Sequence, residues 1–412
     1  MTKGFTTPKG ISLPPIIDIE QLGFDAGAHL LVKAGLQAIP VGEAILVLGS
    51  SSGWESQVSA WCRAQGHSSR VVEHEGRRFV QVIRGDALTG RWRGAMKAGH
   101  ADSSREGAVV ARASASWGLA ARGATVEAGS PAMHFRLDRK NELWTDSAAD
   151  LYAQAAAAQW NPATEIDWDA SFDLPDMVED AVVQVLTYLI ENEAAALVVP
   201  ARFLGQVHPH YREVQALLAI QVADEARHID VFTKRLRLKG REPGLSTAGG
   251  QASLQTLLDE SDFSLAQMLL SVLGEGTFVD LLHFLRQYAP DPVTRQIARL
   301  VVRDEARHVA FGMMHLLAQV EHEPHLRFRL ANAIQARNDT LAATSGLNEE
   351  VFDALILLAA GEFTPAAIRT GYARVQALVQ DMAAHRQARL EKLGFDESTA
   401  RRLSALHTRN FM

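Results

Sequence analysis

One five-residue string occurs twice in this chain of 412 residues, and it holds two residue types that bind metal ions. The string Asp-Glu-Ala-Arg-His begins at residue 224 and again at residue 304, an offset of 80 residues. In a helix Glu225 and His228 are three positions apart and project from one face, as do Glu305 and His308. A carboxylate and an imidazole on one face can bind one iron ion, so the two strings predict a site for two.

A site for two ions in a four-helix bundle needs a further carboxylate from each remaining helix, bridging or capping the metals. Glu275 lies 30 residues before Glu305, and Glu193 lies 32 residues before Glu225. That distance is one helix, a short loop and one helix back, which brings the side chains to the same level. Glu191 competes with Glu193, but Glu193 has the apolar neighbours of a buried face, where a carboxylate needs a compensating partner.

Each of these signals has an ordinary alternative. A single copy of the string is usually a solvated helix face with local ion pairs, and a lone Glu in an apolar run is more often a helix-end residue. The duplication and the two upstream glutamates together favour a metal site. Gly274 and Gly276 flank Glu275. They indicate either a local widening of the helix beside the metal or close packing between helices, and both readings stay open.

The elements that must position these residues are helices. From residue 146 to the end, apolar residues recur at three- and four-residue spacing, and most prolines fall between the predicted helices or at their first residue. The two strings and the two upstream glutamates fall on four of these helices. The predicted helices span 146–159, 175–204, 210–238, 264–288, 291–320, 325–343, 349–359 and 365–391.

The first part of the chain has a different pattern. Residues 14–85 predict a small α/β unit that ends in a hairpin around His74-Glu75-Gly76. Residues 86–145 are rich in Gly, Ala, Ser and Arg, which predicts a linker with a short hairpin near 132–144. The strands of the α/β unit are predicted at 16–20, 44–49 and in the hairpin 69–85, and its helices at 26–37 and 54–66.

Composition narrows the chemistry. The chain has 41 Lys and Arg against 48 Asp and Glu, so it lacks the basic surface of a nucleic-acid-binding protein. Its single cysteine excludes internal disulfides and metal sites built from several thiolates, which leaves histidine and carboxylate as ligands. The first residues lack the apolar core of a secretory signal peptide. No apolar run reaches the roughly 18 residues that are needed to cross a bilayer. We therefore expect a cytoplasmic protein without a membrane span.

Residues 14–85 resemble the TusA/SirA-like sulfur-carrier domain. The matching features are Leu22-Gly23, the turn at 40–43 and the segment from Trp61 to His67. In that family a Cys-Pro pair begins the first helix, and its thiol carries a persulfide. Ala26 and Gly27 stand at those positions here, and Cys62 matches a different cysteine. The resemblance therefore implies the fold and a docking role, and it argues against sulfur transfer.

Residues of about 150–340 resemble the ferritin-like di-iron carboxylate superfamily, in its oxygenase branch. The resemblance implies that Asp224 and Asp304 accept a hydrogen bond from a ligand histidine. It also implies that Arg227 and Arg307 neutralise the buried carboxylates, with plain surface ion pairs as the alternative. The four glutamates would be catalytic as well as metal-binding. The implied metal ligands are Glu193, Glu225, His228, Glu275, Glu305 and His308.

The fold class expected from both resemblances is α+β multidomain, mainly an α ferritin-like four-helix bundle. The domains would be a TusA-like domain at 1–85, a linker at 86–145, the bundle at 146–343 and a C-terminal helical extension at 344–412. The bundle would bind two iron ions, with manganese left open, and use O2 to oxidise a small organic substrate. Pocket walls, with simple core packing as the alternative, would be Phe232, Phe278, Leu282, Phe311 and Met314.

Other functions of such a bundle have weaker signals. A radical generator needs a tyrosine soon after a ligand histidine, and Tyr188 near Glu193 is the only substitute. N-oxygenases of the superfamily add a histidine one turn before a ligand Glu, where this chain has Gln221 and Val301. Ferroxidase activity and a scaffold role are further alternatives. The expected partners are the substrate, an electron-donor protein and a protein docked on the N-terminal domain, and a homodimer is left open.

Overall fold

The structure is a computed structural model that describes residues 14–86, 94–342 and 349–406. The described chain is mainly helical, with small sheets. It divides into two compact units. Over the described residues, the smaller unit comprises Met1–Ala98 with Ala124–Ser130, and the larger comprises Gly99–Gly123 with Pro131–Met412.

The smaller unit is built on a four-stranded sheet of order β1-β2-β4-β3, in which β1 is parallel to β2 and the other pairs are antiparallel. Glu75 and Gly76 both have positive φ, as the two-residue turn between β3 and β4 requires. The elements from β1 to β4 follow the predicted order, whereas β5 and β6 were not predicted. The elements are β1 Ile16–Asp18, α1 His29–Gln37, β2 Ala44–Leu48, α2 Trp54–Ala64, β3 Ser68–His74, β4 Arg77–Ile83, β5 Met96–Lys97 and β6 Thr125–Val126.

The core of the smaller unit lies between the two helices and the sheet. Val32 and Leu36 are one turn apart on α1 and are fully buried with Ile45 of β2. Cys62 of α2 is buried in this core, and burial raises the pKa of its thiol to about 11. A thiol kept protonated in this way is a poor nucleophile. The resemblance to the TusA/SirA family itself remains a prediction.

The segment predicted as a linker has little regular structure, but part of it packs with the helices of the larger unit. Arg122 is buried and forms a bidentate pair with Glu213, with one contact of 2.7 Å. Tyr211 donates its hydroxyl hydrogen to the carbonyl of Asp138 at 2.9 Å. The hairpin predicted near 132–144 is wrong, since a helical turn, α3 Lys140–Leu143, forms at the end of that range.

The rest of the larger unit is helical, and each predicted helix coincides with an observed one to within a few residues in the described ranges. Residue 343, the end of one predicted helix, lies outside the described residues. Helices α5, α8 and α15 were not predicted. The observed helices are α4 Ala148–Ala157, α5 Pro162–Glu165, α6 Asp176–Leu204, α7 Arg212–Leu238, α8 Ala248–Asp259, α9 Phe263–Gln267, α10 Gly276–Tyr288, α11 Pro292–His322, α12 Leu326–Ala342, α13 Glu349–Ala360, α14 Pro365–Lys392 and α15 Glu397–Ala405.

Four long helical segments form the bundle. Helix α6 packs along α7, and the segment from α9 to α10 packs along α11, while α14 packs against α10. A buried ion-pair network ties three of these helices together at one end. The Arg235 guanidinium contacts Glu179 at 2.7 Å and Asp291 at 3.0 Å, and Asp291 also caps α11 through the amide of Thr294. The network therefore fixes α6, α7 and α11 relative to one another.

Among the described residues, two unbroken helical segments are long and apolar enough, by length and composition alone, to cross a membrane. They are Asp176–Leu204 and Phe263–Tyr288. The expectation that no apolar run is long enough needs this correction. Both segments lie in the bundle, and 67% and 83% of their most apolar windows are buried inside the protein. Packing against other helices therefore accounts for their apolar character, and the absence of a membrane span remains a prediction.

Candidate metal centre

Six side chains from four helical segments meet at the centre of the bundle. Their oxygen and nitrogen atoms form two groups of four, and within each group the atoms lie within 4.8 Å of one another. Every member is buried. The first group is Glu193, Glu225, His228 and Glu305, and the second is Glu225, Glu275, Glu305 and His308.

Two glutamates belong to both groups. Glu225 of α7 and Glu305 of α11 are the shared carboxylates, whereas Glu193 and Glu275 each belong to one group. The sequence had left open whether the two upstream glutamates bridge or cap. The structure places them at the ends of the cluster and the glutamates of the repeated string in the middle. Glu191 is only partly buried and lies outside both groups, so the geometry favours Glu193.

The Nδ1 atom of His228 faces three carboxylates at once. It lies 3.1 Å from Glu225, 3.2 Å from Glu193 and 3.2 Å from Glu305. A single N–H can donate to one of these oxygens well but not to all three. Nδ1 of His308 likewise lies 2.9 Å from an oxygen of Glu225. This convergence of donor atoms on a small volume is what a bound cation requires.

Several cluster atoms have no hydrogen-bond partner among the described residues. They are Nδ1 of His308, one carboxylate oxygen each of Glu193, Glu225 and Glu275, and both carboxylate oxygens of Glu305. Imidazole nitrogens lie 2.9 Å from the Glu225 oxygen and 3.2 Å from one Glu305 oxygen, but without the alignment of a hydrogen bond. A buried carboxylate oxygen without a donor costs free energy of about 1–3 kcal/mol or more, and charge raises this cost. Oxygen atoms left bare in this way at the same point of the bundle fit a bound metal ion, and they do not fit a plain hydrogen-bonded core.

The outer ring nitrogens of the two histidines point to aspartates. Nε2 of His228 lies 3.2 Å from Oδ2 of Asp304, and Nε2 of His308 lies 3.4 Å from Oδ2 of Asp224. Both aspartates are fully buried. Each contact leaves Nδ1 free to face the cluster, because a proton on Nε2 fixes the ring tautomer. The geometry suits the role that the resemblance implied for both aspartates.

Two arginines complete this outer layer. Nη2 of Arg227 contacts Asp224 and lies 2.9 Å from Oδ2 of Asp304, while Arg307 contacts Asp304. Their side chains are only 12% and 13% exposed. The alternative of plain surface ion pairs is therefore wrong, because both guanidiniums are mostly enclosed and contact buried carboxylates.

Burial and charge shift the titration of the cluster in opposite directions. Burial raises the pKa of Glu275 to about 8 and holds the pKa of Glu193 well above its usual range. Burial opposes ionisation of Glu225 as well, but His308 and other neighbours hold the pKa of Glu225 well below its usual range. The pKa of Asp304 is lowered, since hydrogen bonds led by that from His228 outweigh burial. Glu193 and Glu275 at the ends of the cluster thus hold a proton more tightly than Glu225 does.

Three residues around the cluster were not predicted as site residues. Gln221 donates to Oε1 of Glu275 at 2.9 Å, Gln159 donates to Asp224 at 2.9 Å, and Trp160 donates to Oδ2 of Asp304 at 2.7 Å. Gln221 could have been found, since it lies one turn before Glu225 on the same face. Gln159 and Trp160 follow the end of α4, and nothing in their local sequence links them to the cluster.

The backbone before Glu275 is π-helical rather than α-helical. This segment, Met268–Glu275, is buried throughout and joins α9 to α10. A π-helix holds more residues per turn, so the predicted widening of the helix is present. Close packing is also present: a Cβ on Gly276 would lie 2.6 Å from Cζ of Arg389, and one on Gly312 would lie 2.4 Å from Cβ of Ser271. The two readings of the glycine pair are therefore compatible.

The predicted pocket walls are mostly core residues. Phe232, Phe278, Leu282 and Phe311 are buried in the bundle. Met314 is 44% exposed, so its prediction as a pocket wall is wrong. It lies six positions after the cluster histidine of α11, which turns it about 120° away from the interior.

Comparison with known proteins gives similarities of fold. Solved structures similar to this chain include two variants of an R2-like ligand-binding oxidase, one with an aerobically reconstituted Mn/Fe cofactor and one with an Fe/Fe cofactor. Each has a TM-score of 0.47 and 17% identity, covering 60% of this chain and 94% of that one. A protein with aldehyde deformylating oxidase activity from Synechococcus has a TM-score of 0.41 and 18% identity, covering 58% and 98%. Neither a family model nor a curated protein matches this chain.

Proposed function

We propose that this protein is a non-haem di-iron oxidoreductase of the ferritin-like class that uses O2 to oxidise a small organic substrate. One observation carries the proposal: two buried groups of carboxylate and imidazole ligands share Glu225 and Glu305. A shared pair of carboxylates is the arrangement that holds two metal ions side by side in a helical bundle. The similarity to oxidases with Fe/Fe and Mn/Fe cofactors agrees with this reading.

The charge of the centre supports two divalent cations. Six carboxylates and two guanidiniums lie in the cluster and its outer layer, which leaves four negative charges in a buried volume when every carboxylate is ionised and both imidazoles are neutral, as metal ligation requires. Two divalent ions neutralise these charges. Buried charge without such compensation would be strongly unfavourable. The groups counted are Glu193, Glu225, Glu275, Glu305, Asp224, Asp304, Arg227 and Arg307.

The donor set also selects the kind of metal. Oxygen and imidazole ligands suit iron and manganese, and a thiolate-preferring ion finds no sulfur ligand in either group. When bound, two Fe(II) ions supply electrons to O2 and the oxidising power to attack a C–H bond or an amine nitrogen. Glu225 and Glu305 would hold both ions, and Glu193 and Glu275 would each complete one coordination shell.

The surrounding residues orient the ligands and keep water away. Asp304 and Asp224 fix the tautomers of the two histidines through their contacts with Nε2. Gln221 donates to Oε1 of Glu275 and so restrains that carboxylate. Leu189, one turn before Glu193 on α6, is fully buried. A dry site of this kind strengthens every electrostatic contact inside it and protects reactive species from solvent.

The test is metal loading of the full chain under anaerobic conditions. Titration with Fe(II) should saturate at two ions per chain, and exposure to O2 should then change the near-ultraviolet absorption. Glu275→Ala and His308→Ala should each reduce the stoichiometry and abolish the absorption change. Glu191→Ala removes a neighbouring carboxylate outside both groups and should behave like the natural sequence. Saturation at clearly fewer than two ions in the natural sequence would overturn the proposal.

Organic oxidation is tested separately, because a ferroxidase would also consume Fe(II) and O2. Loaded protein with an electron donor should catalyse O2-dependent product formation from a component of a soluble metabolite extract. His308→Ala should form no product under the same conditions. Repeated turnover of Fe(II) without an organic product would favour ferroxidase activity instead.

A further inference from the structure

Helix α14, the next-to-last described helix, places an arginine against the π-helical segment. Nε of Arg389 donates to the backbone carbonyl of Val272 at 2.9 Å. The extra residue in a π-helical turn displaces backbone carbonyls from their α-helical partners, so donors from outside the helix help to satisfy them. Arg389 is 114 positions after Glu275 in the sequence and reaches the segment that ends at this glutamate.

The first residue after Glu275 leaves room for this guanidinium. A Cβ on Gly276 would lie 2.6 Å from Cζ and 2.7 Å from Nε of Arg389, so only glycine allows the approach without a shift. The next residue bonds to the same segment, since the hydroxyl of Thr277 donates to the carbonyl of Leu273 at 2.6 Å. The junction between the π-helical segment and α10 is therefore held from both sides.

Arg389 is not placed there by an ion pair. Among the described residues no carboxylate lies within ion-pair distance of its guanidinium, and its buried Nη2 has no hydrogen-bond partner. Burial lowers the pKa of Arg389, with Asp280 opposing the shift. Placing a cation in such surroundings is unfavourable. The free energy that the contact with the Val272 carbonyl contributes must therefore offset the cost of burying the guanidinium.

We propose that Arg389 is a positioning residue that holds the π-helical backbone and thereby places the Glu275 carboxylate in its half of the cluster. The proposal rests on the proposed function in one respect, since it expects Arg389 to affect the binding of the ion that Glu275 and His308 hold. It gives helix α14 a part in the metal centre. Arg389 acts through the Val272 carbonyl and touches no ligand side chain.

The first test follows the backbone and needs no metal. In Arg389→Met, amide hydrogen exchange over Met268–Gly276 should become at least about tenfold faster, because the outside donor is lost. Arg374→Met is the matched control: Arg374 lies on the same helix and donates to the carbonyl of Ala359 at 2.6 Å, away from the segment. It should leave exchange over Met268–Gly276 within about twofold of the natural sequence. Equal exchange in the natural sequence and Arg389→Met would overturn the proposal.

The second test uses Mn(II) and electron paramagnetic resonance. The natural sequence should bind two Mn(II) ions with a coupled signal, and failure to do so would count against the proposed function alone. In Arg389→Met, the affinity for one of the two Mn(II) ions should fall by about 10- to 100-fold, which is the range for residues that orient ligands. Glu275→Ala should bind a single Mn(II) ion, which gives an isolated six-line signal. Arg389→Met should give the same signal. Equal weakening of both ions would contradict the assignment to Glu275.

Two further variants separate positioning from loss of folding. Gly276→Ala keeps the guanidinium but crowds it. This variant should also lower the affinity only for the Mn(II) ion that Glu275 and His308 bind. Arg389→Lys keeps a cationic donor on a shorter stem and should recover part of the lost affinity. If Gly276→Ala binds two ions like the natural sequence, the close approach of Arg389 has no role and the proposal is wrong.

Discussion

His228 and Asp304 belong to different copies of the repeated string, yet Nε2 of the histidine lies 3.2 Å from Oδ2 of the aspartate. The reciprocal pair, His308 and Asp224, meets at 3.4 Å. Each copy therefore orients the histidine of the other copy rather than its own. A change in one string is expected to affect the ligand of the partner helix.

Asp304→Asn tests this exchange between the helices. The amide keeps the size of the side chain but loses the charge that fixes the His228 ring, so metal affinity should fall by about 10- to 100-fold. The measurement is competition for Fe(II) between the protein and a chelator. Asp230→Asn removes an exposed carboxylate from α7, the helix that carries His228, and should leave affinity unchanged. Equal affinity in Asp304→Asn and the natural sequence would show that the contact with His228 is not used.

Trp160→Phe tests the support of Asp304 from outside the bundle. Loss of the indole N–H leaves the buried Oδ2 of Asp304 with one donor fewer, so the free energy of unfolding should fall by about 1–3 kcal/mol. Urea denaturation measures this change. Trp168→Phe is the control, since that indole donates to the carbonyl of Pro162 at 2.8 Å and its loss should cost about 1 kcal/mol or less. A smaller loss in Trp160→Phe than in the control would contradict the prediction.

Arg235→Met tests the buried network that fixes three helices. The change leaves Glu179 and Asp291 buried without their cation, so the free energy of unfolding should fall by about 3–5 kcal/mol. Arg241→Met breaks a pair with the exposed Asp176 and should cost about 1 kcal/mol at most. Both are measured by chemical denaturation monitored by circular dichroism. Similar losses in the two variants would show that the network adds nothing beyond a surface pair.

The thiol of Cys62 gives a pH-dependent prediction. Folding raises its pKa from 9.0 to about 11, chiefly by burial, so the folded state keeps the proton that the unfolded state loses. The stability that this thiol contributes is therefore fully present below pH 9.0 and is lost as pH rises toward about 11. At pH 8 iodoacetamide should label urea-unfolded protein and leave folded protein nearly unlabelled. In Cys62→Ser, the loss of stability that this thiol causes between pH 9.0 and about pH 11 should be absent. Rapid labelling of the folded chain by iodoacetamide would show that the thiol is not buried.

Much of the centre could be predicted because its information is local. The three-residue spacing of Glu225 and His228, and their repetition, depends only on helix geometry. The distance from Glu193 to Glu225 depends only on the length of a helical hairpin. These rules do not depend on how the helices are rotated about their axes.

The remaining features depend on tertiary packing. The contact between His228 and Asp304 can be predicted only when it is known which faces of α7 and α11 are turned toward each other. Trp160 and Arg389 reach the centre from segments that have no repeated pattern. Two glycines beside Glu275 were compatible with either widening or packing, and only the backbone geometry shows that both occur.

The repeated string gives the centre an approximate twofold symmetry that exchanges Glu225 with Glu305. The same operation would exchange Glu193 with Glu275, but the symmetry is broken there. Helix α6 runs as an α-helix through Glu193, whereas the backbone that ends at Glu275 is π-helical. Two ions held by the same donor types would thus occupy inequivalent positions, and the chain could distinguish them by backbone geometry alone.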